Sequence, residues 1–152
     1  MPEPATTTAP ELTIRRTLRA PPALVFKAWT DPAHLVRWLG PSNFEAHDIS
    51  LDVRPGGAWR ACITSPEGNE NWMSGTYREI SPPDRLVFTF AWDSTGFQTL
   101  VTIDLEAQRD QTLMTFHQAP FASVESRDSH NGGWTESFDR LAALVAGSDA
   151  PN

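Results

Sequence analysis

Apolar and polar residues alternate from about residue 44 to residue 118, the period of strands with one buried face. The segment RLVFTFAW, for example, places Phe88, Phe90 and Trp92 on one side of a strand. Turn sequences such as PGG and SPPD separate segments of this kind. With an earlier strand in ELTIRRTLRA, the pattern predicts an antiparallel sheet of about six to seven strands.

The pattern between the first two strands is helical. Pro21 and Pro22 begin one short helix in PPALVFKAWT, since proline is favoured at the first helical position. Asp31 is a candidate N-cap for a second helix, which Gly40 and Pro41 are expected to end. The sequence therefore predicts two short helices here, with Trp38 at the end of the second.

The last predicted element is a long amphipathic helix. Trp134, Phe138, Leu141 and Val145 stand at i, i+4, i+7 and i+11, which forms one apolar stripe. The helix is expected to begin near Ser123 and to end near Gly147. The boundaries predict a single domain over residues 11–147, with tails at 1–10 and 148–152.

This order of elements predicts an α+β fold in which a curved sheet wraps around the C-terminal helix. A gap between helix and sheet is a common place for a small ligand. The chain has six tryptophans and eight phenylalanines, and each either fills the core or lines such a gap. We predict ligand contacts, with Trp38 near the mouth, at Trp38, Trp59, Met73, Tyr77, Phe88, Phe90, Trp92, His117, Trp134 and Phe138.

Charge, hydrophobicity and cysteine content indicate which partners and which location to expect. A net charge of −7 with scattered basic residues argues against nucleic acid, whose phosphates require a basic face. No apolar run approaches the roughly 20 residues that span a bilayer, so membrane insertion is not expected. The single cysteine, Cys62, and the absence of a signal-like start predict a cytoplasmic protein.

Residues for catalysis or metal binding follow no recognised spacing. The four histidines do not form a metal motif, so neither a metal nor a cofactor is predicted. No nucleophile elbow is present, so no catalytic nucleophile is assigned. Acid–base chemistry stays open, because a polar side chain facing an apolar cavity would have a shifted pKa. The candidates are Asp48, Tyr77, Glu79, His117 and His130.

Four segments carry a family resemblance: PPALVFKAWTDPAHLVRWLGP, DVRPGGAWR, GTYREISPPDRLVFTFAW and GGWTESFDRLAALV. In this order they resemble the activator of heat-shock-protein-90 ATPase-like family of the START-like (SRPBCC) superfamily. The resemblance covers roughly residues 11–147 and implies a helix-grip fold with a hydrophobic cavity between sheet and helix.

The resemblance does not decide the function, because proteins of this superfamily include carriers, receptors and cyclases. We favour non-enzymatic binding of a small hydrophobic ligand, either aromatic or polyketide-like. A cyclase or dehydratase acting in the same cavity is one alternative. The other is a protein-interaction module, either co-chaperone-like or a homodimer. A chaperone partner is not expected, since a single-domain chain lacks the co-chaperone's additional domain.

Overall fold

A computed structural model describes residues 9–148, so most of the predicted tails at 1–10 and 148–152 lies outside the described residues. The described part contains one sheet, two short helices and one long helix. In chain order the elements are β1 (Leu12–Leu18), α1 (Pro22–Thr30), α2 (Pro32–Leu35), β2 (Glu45–Leu51), β3 (Ala58–Thr64), β4 (Glu70–Ser81), β5 (Arg85–Trp92), β6 (Thr99–Gln108), β7 (Gln111–Ala119) and α3 (Val124–Ser148).

The seven strands form one antiparallel sheet in the order β1-β7-β6-β5-β4-β3-β2. Each strand from β2 to β6 pairs with the next strand along the chain, which confirms the antiparallel sheet predicted from the alternating pattern. Strand β1 pairs with β7 instead, and α1 and α2 carry the chain to the opposite edge of the sheet.

Helix α3 packs its apolar stripe against the sheet. Trp134, Phe138, Leu141 and Val145 are all buried, as their spacing predicts. The hydroxyl of Ser123 accepts a hydrogen bond from the Ser126 amide over 3.0 Å, which satisfies one of the free amides of the first turn. The helix continues through the predicted stop at Gly147 to Ser148, because a glycine weakens a helix without ending it.

The second short helix is shorter than predicted. Asp31 caps it as expected and accepts a hydrogen bond from the Ala33 amide over 2.9 Å. Regular helix ends at Leu35, however, and the next residues form turns. Trp38 then contacts the core, and its indole N–H donates to the Ala28 carbonyl over 3.0 Å. This tertiary contact and the positive φ of 105° at Gly40 override the helical pattern.

Gly75 allows three strands to approach closely at the centre of the sheet. Its neighbour on β3, Trp59, reaches across β4 and donates its indole N–H to the Thr89 carbonyl on β5 over 2.9 Å. A Cβ at position 75 would lie 1.9 Å from the Thr89 oxygen and 2.7 Å from Trp59 Nε1. Only glycine is compatible with this bond.

Candidate ligand cavity

A cavity of about 270 Å³, called here the outer cavity, lies between α3, the strands β3 to β5 and the loop that follows α2. Its lining is mainly aliphatic and aromatic, with a few neutral polar groups. The lining residues are Leu39, Gly40, Pro41, Phe44, Ile63, Asn71, Met73, Phe90, Trp92, Ser129, His130, Gly133, Trp134 and Ser137.

A second space of about 30 Å³, called here the inner void, lies deeper among core side chains. It shares four lining residues with the outer cavity, namely Leu39, Met73, Phe90 and Trp134. The inner void is further lined by Trp29, Leu35, Leu51, Trp59, Tyr77, Leu86 and Phe88. The shared side chains therefore border both spaces.

The loop 39–44 is fastened to α3 by polar contacts. The amide of Gly40 donates to the Ser137 hydroxyl over 3.0 Å, and the amide of Ser42 donates to the Glu136 carboxylate over 2.8 Å. Arg140 donates through Nη1 to loop carbonyls, including that of Gly40 at 3.0 Å and that of Pro41 at 3.2 Å. Since loop carbonyls otherwise require water, this arginine replaces solvent and holds the loop beside the cavity.

Trp92 and His130 form a polar pair on the lining of the outer cavity. The Trp92 indole N–H donates to His130 Nε2 over 2.9 Å, while His130 Nδ1 lies 2.9 Å from the Ser126 carbonyl. These two partners specify a neutral imidazole with its proton on Nδ1. Burial lowers the pKa of His130, and the bond to Ser126 opposes that shift in part.

Trp134 belongs to a buried chain of hydrogen bonds. Its indole N–H donates to Gln118 Oε1 over 2.9 Å, and Gln118 Nε2 donates to the Thr99 hydroxyl over 2.8 Å. The Thr99 hydroxyl donates in turn to the Phe90 carbonyl over 3.1 Å. Because each group has a partner, this chain orients the Trp134 ring without leaving a buried polar atom unsatisfied.

The structure divides the ten predicted ligand residues into three groups. Met73, Phe90, Trp92 and Trp134 line the outer cavity. Trp59, Tyr77 and Phe88 line the inner void. The remaining three, Trp38, Phe138 and His117, line neither space.

Trp38 was expected near the mouth, and the structure places it in the core with no exposed surface. Its ring packs edge-on against Trp29 at a centroid distance of 4.7 Å. The residues that follow it, from Leu39 to Pro41, line the cavity in its place. Phe138 is likewise fully buried, with its ring 5.3 Å from that of Phe116.

His117 lies outside both spaces. The buried residues of β7 alternate, so Phe116 and Gln118 are buried while His117 is partly exposed. Its Nε2 lies 2.8 Å from the carboxylate of Glu11. Because successive side chains of a strand point to opposite faces, His117 points away from the interior when Phe116 and Gln118 face it.

Sequence reasoning missed much of the cavity lining. The omitted residues lie in the loop after α2, on β3 and β4, and on α3, where only the fold brings them together. Gly133 is the one of these with a signal in the sequence, because the adjacent glycines Gly132 and Gly133 leave two side chains absent from the helix that covers the sheet. A Cβ at Gly133 would lie 3.7 Å from Pro41 Cγ, whereas one at Gly132 would meet nothing within 4 Å.

The acid–base candidates do not converge. Asp48 and Glu79 are exposed, and neither lines the cavities. His130 lines the outer cavity and Tyr77 the inner void, where burial raises the pKa of its hydroxyl. Within residues 9–148, no aspartate or glutamate lines either space.

The described residues include no group of three or more histidine, cysteine, aspartate or glutamate side chains placed to hold a metal ion. Burial also raises the pKa of the Cys62 thiol, which favours its unreactive form. No helix in the described part of the chain has the length and hydrophobicity needed to cross a membrane.

The family model described as "Activator of Hsp90 ATPase homolog 1-like protein" matches residues 19–146. The chain belongs to this family. Its curved seven-stranded sheet, C-terminal helix and paired short helices form the helix-grip fold of the START-like superfamily, as the resemblance implied. This fold commonly binds hydrophobic ligands.

Solved bacterial structures show the same architecture. A Chromobacterium violaceum protein is 29% identical, with a TM-score of 0.84 over 89% of this chain and 96% of that one. The AHSA1 protein of Silicibacter pomeroyi is 26% identical, with a TM-score of 0.83 over 91% and 99% of the two chains. A Rhodobacter sphaeroides protein is 27% identical, with a TM-score of 0.80 over 94% and 96%. Among curated proteins, no significant relative is found.

Proposed function

We propose that this protein binds a small, uncharged, hydrophobic ligand in the outer cavity. The observation that carries the proposal is the cavity itself, about 270 Å³ in volume and lined mainly by apolar side chains with a few neutral polar groups. This volume lies just below the ~300–1,000 Å³ of typical ligand sites, so the ligand is small.

The aromatic lining favours a flat ligand. Phe90 and Trp92 meet edge-on with ring centroids 5.3 Å apart, and Phe90 lies 6.1 Å from Trp134. A planar aromatic or polyketide-like ring system makes extensive contact with such rings, since offset and edge-to-face packing are both favourable.

The electrostatics favour a neutral ligand. Among residues 9–148, no lysine, arginine, aspartate or glutamate lines the outer cavity, and His130 is held neutral by its two partners. A charged ligand would lose its hydration without gaining an opposite charge, which is strongly unfavourable. The absence of a lining carboxylate also argues for binding over acid–base catalysis, because only His130 faces the outer cavity among the proposed acids and bases.

The proposal includes a cytoplasmic location, supported by the single cysteine of the chain. It includes no nucleic acid and no chaperone partner. Self-association into a homodimer is an independent property that sedimentation would measure.

Indane, a neutral bicyclic hydrocarbon, tests the proposal by NMR titration of the whole protein. We expect saturable shifts for residues lining the outer cavity, with the shifts abolished by Gly133→Leu. Gly132→Leu is the matched control, since a side chain there meets open space, and it should bind indane as the wild type does. Absence of saturable binding to the wild type, or equal binding by both variants, would contradict the proposal.

A second variant separates binding from catalysis. His130→Gln keeps a hydrogen-bond acceptor for Trp92 but removes the only imidazole on the lining. A carrier should retain indane affinity within about twofold, since one neutral hydrogen bond is replaced by another. Loss of a measurable turnover in this variant would favour the cyclase-type alternative instead.

A further inference from the structure

Three polar side chains on strands β2 and β3 form a continuous chain of hydrogen bonds away from both cavities. His47 Nδ1 lies 2.6 Å from the Asp48 carboxylate, and His47 Nε2 lies 2.6 Å from the Thr64 hydroxyl. Because a carboxylate only accepts, Nδ1 carries the proton of the neutral imidazole, and Nε2 then accepts from Thr64. The order of the groups is therefore carboxylate, imidazole, hydroxyl.

The backbone at Asp48 brings the first two of these groups together. Successive side chains of a regular strand point to opposite faces, so neighbours such as His47 and Asp48 do not normally meet. Here the pairing of β2 with β3 shifts between His47 and Ser50, and Asp48 has a positive φ of 54°. Bulges re-aim side chains, and left-handed backbone at residues other than glycine is concentrated at functional sites.

The trio of Asp48, His47 and Thr64, called here the outer triad, lies on the outer face of the sheet. Thr64 follows Ile63, which lines the outer cavity, so their side chains point to opposite faces. The His47 side chain is 37% exposed and that of Asp48 is 65% exposed, while Thr64 is half-buried. The outer triad is thus open to solvent on the side of the sheet away from α3.

We propose that the outer triad is a second site, in which Thr64 takes an acyl group from a small neutral ester and water then releases it. A hydroxyl within hydrogen-bond reach of a base that a third group orients is the arrangement that activates it for acyl transfer. Thr64 is the nucleophile, His47 the general base and Asp48 a positioning residue. The site is independent of ligand binding in the outer cavity.

The reaction balances without a metal or a cofactor. Thr64 Oγ1 forms a bond to the ester carbonyl carbon while its proton passes to His47 Nε2. The bond from that carbon to the leaving oxygen breaks, and the leaving group takes the electron pair and the proton. Water then attacks the acyl-Thr64 ester, gives a proton to His47 and releases the carboxylic acid, and the Thr64 oxygen regains the proton.

The surroundings favour an uncharged aryl ester. Asp48 borders the imidazole, and Glu70 stands directly opposite Thr64 on β4, so an anionic substrate is repelled from both sides. Glu70 is held in place by the indole N–H of Trp72, which donates to it over 3.3 Å. A phenolate leaves without prior protonation, so an activated hydroxyl is the main requirement for an aryl ester.

Hydrolysis of 4-nitrophenyl acetate by the whole protein tests the proposal through the absorbance of the released 4-nitrophenolate. Thr64→Val keeps the shape of the side chain without its hydroxyl, and His47→Gln removes the base. Each should lower kcat/KM about 100-fold, the lower end of the contribution of general acid–base catalysis. Thr64→Ser should retain activity, because serine supplies the same hydroxyl. Equal rates in wild type and Thr64→Val would overturn the proposal.

His117→Gln is the matched control for an exposed imidazole. His117 is 38% exposed and lies 2.8 Å from the Glu11 carboxylate, but among the described residues it forms no hydrogen bond to a hydroxyl. This variant should hydrolyse the ester at the wild-type rate. A loss equal to that of His47→Gln would show that any surface imidazole suffices, which would contradict a role for the outer triad.

Asp48→Asn tests the positioning role. Asparagine tolerates a positive φ, so the backbone can stay as it is while the charge that orients the imidazole is lost. We expect a lower kcat with KM and the temperature of unfolding unchanged. An unchanged kcat would exclude Asp48 from the mechanism.

A measurement on the wild type needs no variant to fold. After brief reaction with 4-nitrophenyl acetate and an acid quench, mass spectrometry of the peptides should find the acetyl group on Thr64. Acetyl groups found only on other residues would overturn the assignment of the nucleophile.

Discussion

The indole N–H of Trp92 donates to Nε2 of His130 across 2.9 Å, which connects strand β5 to helix α3 on the lining of the outer cavity. The bond requires a neutral imidazole, because a protonated ring has no acceptor nitrogen. Phe90 and Phe121 lie against the same imidazole at centroid distances of 5.9 and 4.9 Å. Their apolar contact explains why burial lowers the pKa of His130.

This relationship predicts a pH dependence of the free energy of unfolding. The folded pKa of His130 is below its ordinary value of 6.5, so the unfolded chain binds the proton more tightly. The titration of His130 therefore does not reduce the free energy of unfolding above pH 6.5. It reduces that free energy as the pH falls from 6.5 toward the pKa of His130 in the folded state. One proton limits the slope to ~1.4 kcal/mol per pH unit.

His130→Gln should remove that part of the slope, because glutamine accepts the Trp92 bond without titrating. Urea unfolding of wild type and variant between pH 7 and pH 5 measures the difference. Parallel curves for the two proteins would show that His130 carries no such linkage.

Gly75→Ala is expected to be among the most destabilising single changes in the sheet. A Cβ would overlap the Thr89 carbonyl at 1.9 Å and displace Trp59 Nε1 from its bond to that oxygen. Backbone displacement and a lost buried hydrogen bond together should cost about 3 kcal/mol or more. Thermal unfolding measures the loss, with Ser74→Ala on the same strand as a control expected within ~0.5 kcal/mol of wild type.

Alanine substitutions at Gly132 and Gly133 on α3 distinguish an effect on stability from an effect on ligand binding. Alanine at Gly132 or Gly133 should each raise the free energy of unfolding by up to ~1 kcal/mol, because alanine favours helix. At Gly133 the new methyl group makes an ordinary contact with Pro41 at 3.7 Å and reduces the outer cavity. Indane titration should show weaker binding for Gly133→Ala only. Equal affinities in the two variants would place the ligand elsewhere.

Arg140→Met should loosen the loop 39–44. The arginine donates to carbonyls of Leu39, Gly40, Pro41 and Phe44, and methionine keeps the apolar part of the side chain without these bonds. We expect faster amide hydrogen exchange in the loop and a loss of about 1–3 kcal/mol of stability.

Arg16→Met is the comparison for this change. Arg16 of β1 pairs at 2.7 Å with Asp139, which lies on α3 as Arg140 does, but Asp139 is exposed and Arg16 only half-buried, so the pair is worth ~0–1 kcal/mol. Its removal should leave exchange in the loop 39–44 unchanged. Equal effects of the two substitutions would show that lost positive charge, and not the loop contacts, is responsible.

Local periodicity was sufficient to predict the strands and the face of α3. Phe88 and Phe90 are buried on β5, and Trp134 and Phe138 on α3, because side-chain direction follows from the repeat of each element. The same argument, applied to β7, would have placed His117 outside, since Phe116 occupies an inward position. His117 was predicted as a ligand residue because of its side-chain type, although the alternation along β7 places it on the outer face.

Which interior residues face a cavity depended on packing between elements distant in sequence. Trp38 and Trp92 are both aromatic residues near the end of a predicted element, yet Trp38 is fully buried and Trp92 lines the outer cavity. The difference arises because Trp38 meets Ala28 and Trp29 of α1, whereas Trp92 meets His130 of α3. Neither partner can be deduced from spacing along the chain.

The sequence by itself determined the strand and helix faces, the two-helix insertion and the aromatic character of the interior. Those properties follow from repeats of two or 3.6 residues and from the side-chain types. The tertiary structure decided that loop 39–44 borders the cavity, that His130 is engaged by Trp92, and that Trp29 alone among the indoles lacks a partner. Each depends on the three-dimensional approach of separate elements, which sets where space remains and which donors find acceptors.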